Sequence, residues 1–366
     1  MNVNHVCFYV DNAATWRDWF VHTMSFAAIA QYQTPDTAIE VVQNGGVIFL
    51  LASPLTSHSP VAHYLQAHPP GVADVAFQVR SLTQVLDRAI AADCPVLQAE
   101  AGDLDSSSKW AIVTGWGDLQ HTLIEQIDQS DKIVLPIAGS RPLLVERSPK
   151  GAESLAFTAI DHVVLNVAIG DLSRAVSWYE TTFGFHRQQT FAIATERSAL
   201  SSQVLMHADG TAQLPINEPA SANSQIQEFL DLNRGAGVQH IALHTNRIVQ
   251  MIATLRQQGL ALLTVPPTYY EQLQQRSGFG LAPAEWDAIA AQQVLVDWQP
   301  DAPQALLLQA FTQPIFAQPT FFFELIERQT YQTSRCLQRA EGFGEGNFRA
   351  LFEAVEREQM KRSKLS

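Results

Sequence analysis

At 366 residues, 46% hydrophobic and 16% charged, the chain has the composition of a globular protein long enough for two domains. Its formal net charge of -13 repels nucleic acid and anionic membranes, whose binding depends on Lys and Arg neutralising phosphates, although a locally held cation still admits an anionic small molecule. No stretch is apolar over the ~18 residues that a membrane helix needs. The opening MNVNHVCFYVDNAATW has neither a basic leader nor a long apolar core, and three scattered cysteines make no disulfide framework, so a cytoplasmic protein is expected.

Taken in chain order, the sequence repeats itself. Residues 5–26, HVCFYVDNAATWRDWFVHTMSF, match residues 162–185, HVVLNVAIGDLSRAVSWYETTFGF: each is a His-Val strand, a helix with an aromatic pair and a closing Phe. Residues 71–97, beginning GVADVAF, match the stretch beginning GVQHIAL at 237, which sets Asp74 opposite His240. TLIEQ (122–126) matches ELIER (324–328), which sets Thr122 opposite Glu324. The segment 128–151, broken by Pro136, Gly139 and Pro142, reads as an irregular crossing between halves. Four units of the kind strand, helix, strands, none able to bury a sheet face alone, predict an α+β fold of tandem modules. These form two open barrel-like domains, residues 1–150 and 151–366.

A period of two places His162, Val164 and Asn166 on one face, His240, Ala242 and His244 on another, and Phe322, Glu324 and Ile326 on a third. A lone strand His is ordinarily a satisfied core or surface residue, and a lone strand Glu ordinarily faces water. Repeat symmetry alters that reading, because equivalent positions in successive copies converge across a barrel. Two imidazoles and one carboxylate with open positions beside them form the facial triad that suits a non-haem Fe(II). A Glu324 buried between Phe322 and Phe323 needs such a partner. In the first half His5, Asp74 and Thr122 hold these places, and a neutral hydroxyl makes a weak metal site, so that half is expected to be a non-catalytic scaffold.

Other residues carry plainer readings. Asn217, beside Pro in LPINEP, reads as a turn residue, and Gln225 as the first-turn residue of a helix. An inward Gln309 amid leucines in LLLQAF needs a partner whatever the function. Phe348, Leu351, Phe352 and Val355 have the spacing of a core-facing helical stripe. GFGEGN lacks the Lys-Ser/Thr ending of a phosphate loop and reads instead as a glycine hinge before a closing helix. His186 and His207 read as solvated. Cys7, Cys94 and Cys336 read as inert thiols.

From about residue 158 to 361 the chain resembles the 4-hydroxyphenylpyruvate dioxygenase family of the vicinal oxygen chelate (glyoxalase-like) superfamily, which implies that its tandem modules are βαβββ units. The resemblance rests on IDHVVLNV, WYETTFGFHR, LPINEP, SQIQEFL, GAGVQHIAL, VPPTYYEQL, LLLQAFTQP, PTFFFELIER and GFGEGNFRALFEAVEREQ. Residues 1–150 share with it mainly length and module pattern. The resemblance implies Fe(II) held by His162, His240 and Glu324, and a substrate whose α-keto acid chelates the metal beside O2. It implies decarboxylation, ring hydroxylation and side-chain migration to homogentisate. It assigns catalytic roles to Gln225, Gln239, Gln309, Phe343 and Asn347, and substrate contacts to Ser202, Pro215, Asn217, Phe311, Phe322, Phe348 and Leu351. Self-association, no nucleic-acid partner and a C-terminal lid belong to the same expectation. Ala310, where the family has a larger aliphatic residue, and the phenylalanines of FFFELIER are expected to reshape the cavity wall. Hydroxymandelate synthase, a metal-free binding protein and a Zn or Ni lyase or isomerase on the same modules are the competing readings. Phe343 with Pro215 and Asn217 resembles the ring-hydroxylating branch.

Overall fold

The computed structural model describes residues 1–102, 108–126, 132–136, 143–146, 155–194, 198–208, 210–221, 223–276, 278, 280–332, 337–344 and 346–347. Phe348, Leu351, Cys336 and the expected terminal helix lie outside these described residues.

The first two modules are β1 (Asn2–Tyr9), α1 (Ala13–Thr23), β2 (Ala27–Gln33), β3 (Thr37–Asn44) and β4 (Val47–Pro54), then, after α2 (Pro60–Ala67), β5 (Gly71–Val79), α3 (Leu82–Ala91), β6 (Val96–Gly102), β7 (Ser108–Thr114) and β8 (Gln120–Gln126). They form one eight-stranded sheet in the order β2-β3-β4-β1-β5-β8-β7-β6. The segment expected to be an irregular crossing instead contains an antiparallel pair, β9 (Lys132–Leu135) and β10 (Leu143–Glu146). KIVL and LLVE are short aliphatic runs, and the prolines at 136 and 142 fall between them rather than within them.

The second half repeats the order. It comprises β11 (Phe157–Asn166), α4 (Leu172–Phe183), β12 (Phe185–Ala194), β13 (Ala199–His207) and β14 (Gln213–Pro219), then, after α5 (Gln225–Asn233), β15 (Gly237–Thr245), α6 (Ile248–Gln257), α7 (Pro267–Gln274), α8 (Pro283–Ala291), β16 (Leu295–Gln299), β17 (Ala302–Phe311) and β18 (Phe322–Arg328). Its strand order is β12-β13-β14-β11-β15-β18-β17-β16, and β19 (Thr330–Gln332) pairs with β20 (Leu337–Arg339) beside it. The α+β architecture of two curled sheets is as the repeat predicted, and its βαβββ units are as the resemblance implied. No helix among the described residues is long and apolar enough to cross a membrane.

Local chemistry explains the punctuation. Asn12 caps α1 by accepting the Thr15 N–H at 3.0 Å. α4 buries Ala175, Val176, Tyr179, Thr182 and Phe183 along one stripe and stops at Gly184, whose φ of 78° is the left-handed cap that glycine adopts without strain. The helix-facing sides of both sheets merge into one core: Phe8, Phe20 and Phe49 of the first half meet Phe316, Phe321 and Phe323 of the second. Phe321, Phe323 and Ala310 therefore do not line the cavity wall as expected. Alternation turns them to the opposite face, into this shared core.

The other faces of the two sheets differ. In the first half Val134 and Leu135 of β9 join Val41, Ile48, Leu50, Ala76, Trp110 and Ile124 to fill it. The residue matches made from sequence hold in register: Cys7 faces Asp74 as Val164 faces His240, with the same bulge following each pair. Buried Asp74 accepts both the N–H of Thr122 at 2.9 Å and its hydroxyl. The half expected to lack a metal site thus satisfies its carboxylate within the repeat.

Burial lifts the Asp74 carboxyl from 3.8 to about 6, against the lowering effect of the Thr122 bonds. A carboxyl raised on folding contributes stability below its unfolded titration and loses it as the pH rises through 6. Each pH unit between folded and unfolded titration is worth about 1.4 kcal/mol, so the isosteric Asp74→Asn is expected to stabilise the protein by roughly 2–3 kcal/mol at pH 8. The gain should shrink as the pH falls toward 4. Urea unfolding at the two pH values checks this, and a variant less stable at pH 8 contradicts it.

Candidate metal centre

Bulges set the ligand positions. β11 carries one extra residue at Asp161, between the pairs Ile160–Leu243 and His162–Ala242, and β15 carries one at Gln239, between Val238 and His240. A bulge brings two consecutive side chains toward one side. Asp161 Oδ1 accordingly accepts the His162 Nδ1–H at 2.9 Å, and Gln239 Oε1 accepts the His240 Nδ1–H at 3.3 Å. With Nδ1 tied back, each ring turns Nε2 toward Glu324, whose Oε2 lies 3.3 Å from His162 and 3.6 Å from His240. Parallel pairing sets Ala242 opposite Glu324, so all three side chains share one face.

One ligand atom from each of these residues lies within 4.8 Å of the others, and all three residues are buried. Glu324 Oε1 accepts from Gln309 Nε2 at 2.8 Å, and Gln309 Oε1 accepts from Asn347 at 2.8 Å. Burial pulls His162 down, but Glu324 and Asp161 outweigh it and hold the imidazole at about 9. Burial, reinforced by the His162 charge, pushes His240 well below its ordinary value. Two inward Nε2 atoms and one carboxylate oxygen, with a proton in their midst, fit a divalent cation, which would displace that proton. His244, on the same strand face, is instead tied by Nδ1 to Thr158 at 2.6 Å.

Around the cluster Phe322 stacks on His240 at 4.7 Å, Phe343 meets His162 edge-on at 5.1 Å, and Phe311 meets Phe322 at 6.3 Å. Further along β11, roughly 13 Å from His162 at strand rise, lies a group of buried polar side chains. Asn166 pairs with Asn217, and Asn217 with Ser202, across adjacent strands. All are buried, yet Asn166 Nδ2, Asn217 Oδ1 and Ser202 Oγ find no partner among the described residues. Buried polar atoms left this way call for a partner such as a water or a ligand group. Asn217 is therefore no turn residue but the middle of β14, with Pro215 buried beside it. Gln225 opens α5 but is buried rather than solvated. His207, expected to be solvated, is buried against the Met1 amine at 3.2 Å. His186 is exposed. Cys7 and Cys94 are free, and burial raises both thiols.

Sequence reading missed Asp161, Arg328 and Tyr269, and placed Asn166 on the His162 face without giving it a role. Arg328 grips both Asp161 oxygens, at 2.8 and 2.7 Å, and Tyr269 donates to Asn347 Oδ1 at 2.8 Å. Asn4 beside His5, with its Oδ1 2.8 Å from His5 Nδ1, was the signal available for Asp161.

Curled sheets of βαβββ repeats with a buried His-His-Glu cluster define a metal-site protein of the glyoxalase/bleomycin resistance protein/dioxygenase superfamily, which matches residues 159–276. The hydroxyphenylpyruvate dioxygenase N-terminal family matches residues 2–135, the half whose resemblance was mainly module pattern. The chain belongs to the 4-hydroxyphenylpyruvate dioxygenase family. It is 34% identical to 4-hydroxyphenylpyruvate dioxygenase of Yarrowia lipolytica, covering 99% of this chain and 93% of that one. It is 33% identical to an uncharacterized protein of Synechocystis sp., covering 97% of each. Among solved structures it is similar to a triple mutant of 4-hydroxymandelate synthase from Streptomyces coelicolor, with 26% identity, a TM-score of 0.82 and 98% coverage of both chains.

Proposed function

We propose that the protein is an Fe(II)-dependent dioxygenase converting 4-hydroxyphenylpyruvate and O2 to homogentisate and CO2. The observation that carries this is the buried His162, His240 and Glu324 cluster in a chain of this family. In this reading residues 151–366 form the catalytic domain and residues 1–150 the scaffold. His162, His240 and Glu324 hold the iron, which when bound supplies open positions for an α-keto acid and O2. The keto acid's own decarboxylation provides the reducing electrons, so the reaction balances without another co-substrate.

The remaining residues bind, orient and keep water out. Ser202 and Asn217, with Asn166, offer donor and acceptor atoms to the phenol hydroxyl, which both donates and accepts. Gln309 and Asn347 hold the Glu324 carboxylate in place from behind. Phe311, Phe322 and Phe343 form apolar walls that exclude water from the reacting centre, with Pro215 two residues before Asn217 on β14. Gln239 orients His240, and Gln225 stands at the start of α5.

Fe(II)-loaded protein given 4-hydroxyphenylpyruvate without air is expected to develop the visible colour of a metal-keto acid chelate. On admission of air it should release homogentisate and CO2 in equal amounts. The likeness to 4-hydroxymandelate synthase makes benzylic hydroxylation the second reading. 4-Hydroxymandelate as product would establish that alternative, and iron-free protein binding the keto acid without O2 uptake would overturn both.

A further inference from the structure

Arg328 ends β18, buried with 8% exposure, and its side chain makes four hydrogen bonds among the described residues. Two grip the oxygens of Asp161, itself 8% exposed, in the forked geometry that arginine offers a carboxylate. The other two reach the carbonyls of Gly342 at 2.7 Å and Ala340 at 3.4 Å. The guanidinium lies 5.8 Å over the Phe343 ring, which also meets the His162 imidazole edge-on. Phe343 also gives its carbonyl to Gln309, the residue that holds Glu324. Gly344, with a φ of 69°, lets the chain pass there, since a Cβ would stand 2.3 Å from Gln309 Oε1. Residues 340–344 are thus tied to two members of the cluster, through Asp161 to His162 and through Gln309 to Glu324.

The first half supplies an internal comparison. Asn4 occupies the place of Asp161, Thr122 that of Glu324, and Gln126 ends β8 where Arg328 ends β18. The fold therefore needs only an Asn or Asp acceptor behind the histidine. The charged pair occurs where the third member of the set is a carboxylate. Burying two charges is costly, and a pair that the fold can do without calls for another reason.

We propose that Asp161 and Arg328 are positioning residues that lock His162 as a metal ligand while residues 340–344 are seated, so that metal binding and seating stabilise each other. This rests on the reading that the cluster holds a metal. An outer partner of a metal-bound histidine fixes its ring and raises its basicity, and losing one lowers metal affinity by about 10- to 100-fold. Linkage makes the effect reciprocal, so bound metal must strengthen the seating of residues 340–344.

The test is the double substitution Asp161→Asn with Arg328→Gln, which reproduces the first half's pair and leaves no buried charge alone. Full-length wild type and variant are titrated with Fe(II) and Co(II) against a chromogenic chelator, and hydrogen exchange of residues 340–344 is followed with and without metal. The expected result is a folded variant of near-normal Tm that binds metal about 10- to 100-fold more weakly. Its Co(II) visible band should be altered, and metal should no longer slow exchange at residues 340–344. A merely structural pair would lower Tm and leave affinity and band unchanged in the folded protein. Wild-type affinity in the variant, with metal-dependent protection retained, overturns the proposal while leaving the metal site standing. Wild type that binds neither ion overturns the metal reading itself, and this inference with it.

Discussion

Glu324→Ala is expected to fold, to lose its divalent metal and to form homogentisate on the order of 10³-fold more slowly, a loss of about 4 kcal/mol of barrier lowering. Glu324 is 2% exposed and is the only carboxylate among the three residues whose ligand atoms converge. Two neutral imidazoles alone neither balance a divalent cation nor complete a face of three donors. Removing the carboxylate strands no fixed positive charge, because the Arg328 guanidinium is matched by Asp161 and the His162 imidazole, held charged in part by Glu324, can give up its proton. The fold should therefore survive, and the loss should be one of chemistry. Glu324→Gln, which keeps shape and removes charge, should fail similarly. Metal content and homogentisate yield of both variants check this, and undiminished iron and turnover in Glu324→Ala would refute the site.

The three ligands were legible in the sequence because two independent regularities pointed to them. Alternation assigned each to a strand face, and the internal repeat placed His162 opposite His5, His240 opposite Asp74 and Glu324 opposite Thr122. Asp161 was illegible for the same reason that His162 was legible. By strict alternation the residue before His162 faces the other side, and only the bulge returns it. Arg328 read as an ordinary charged end to a strand, since its partners lie 167 residues back and 12–14 residues onward. Asn217 read as a turn because LPINEP carries Pro215 and Pro219, two residues to either side of it. The structure places those prolines in the buried strand β14. Ala310 and Phe323 were assigned to the wrong wall when their motifs were taken whole, although Gln309 and Glu324 beside them already fixed the parity.

That parity gives Phe323 its own consequence. β18 presents Glu324 to the cluster and Phe323 to the core shared by the two halves, where it is fully buried. Its ring stacks on Phe49 at 5.6 Å, tilts against Phe8 at 6.3 Å, and meets Phe20 at 5.9 Å and Phe321 at 5.0 Å edge-on. Phe8, Phe20 and Phe49 belong to the first module, so one side chain bridges the scaffold and the strand bearing Glu324. Phe323→Ala is expected to destabilise the protein by about 3–5 kcal/mol, the range for deleting a buried Phe and leaving its cavity. Phe323→Leu, which fills much of that volume, should cost clearly less. Because the neighbours belong to both halves, hydrogen exchange should quicken in β1 and β4 as well as in β18. Urea unfolding with residue-level exchange measures this. A loss under about 1 kcal/mol, or faster exchange confined to β18, would show that the halves do not share the core described.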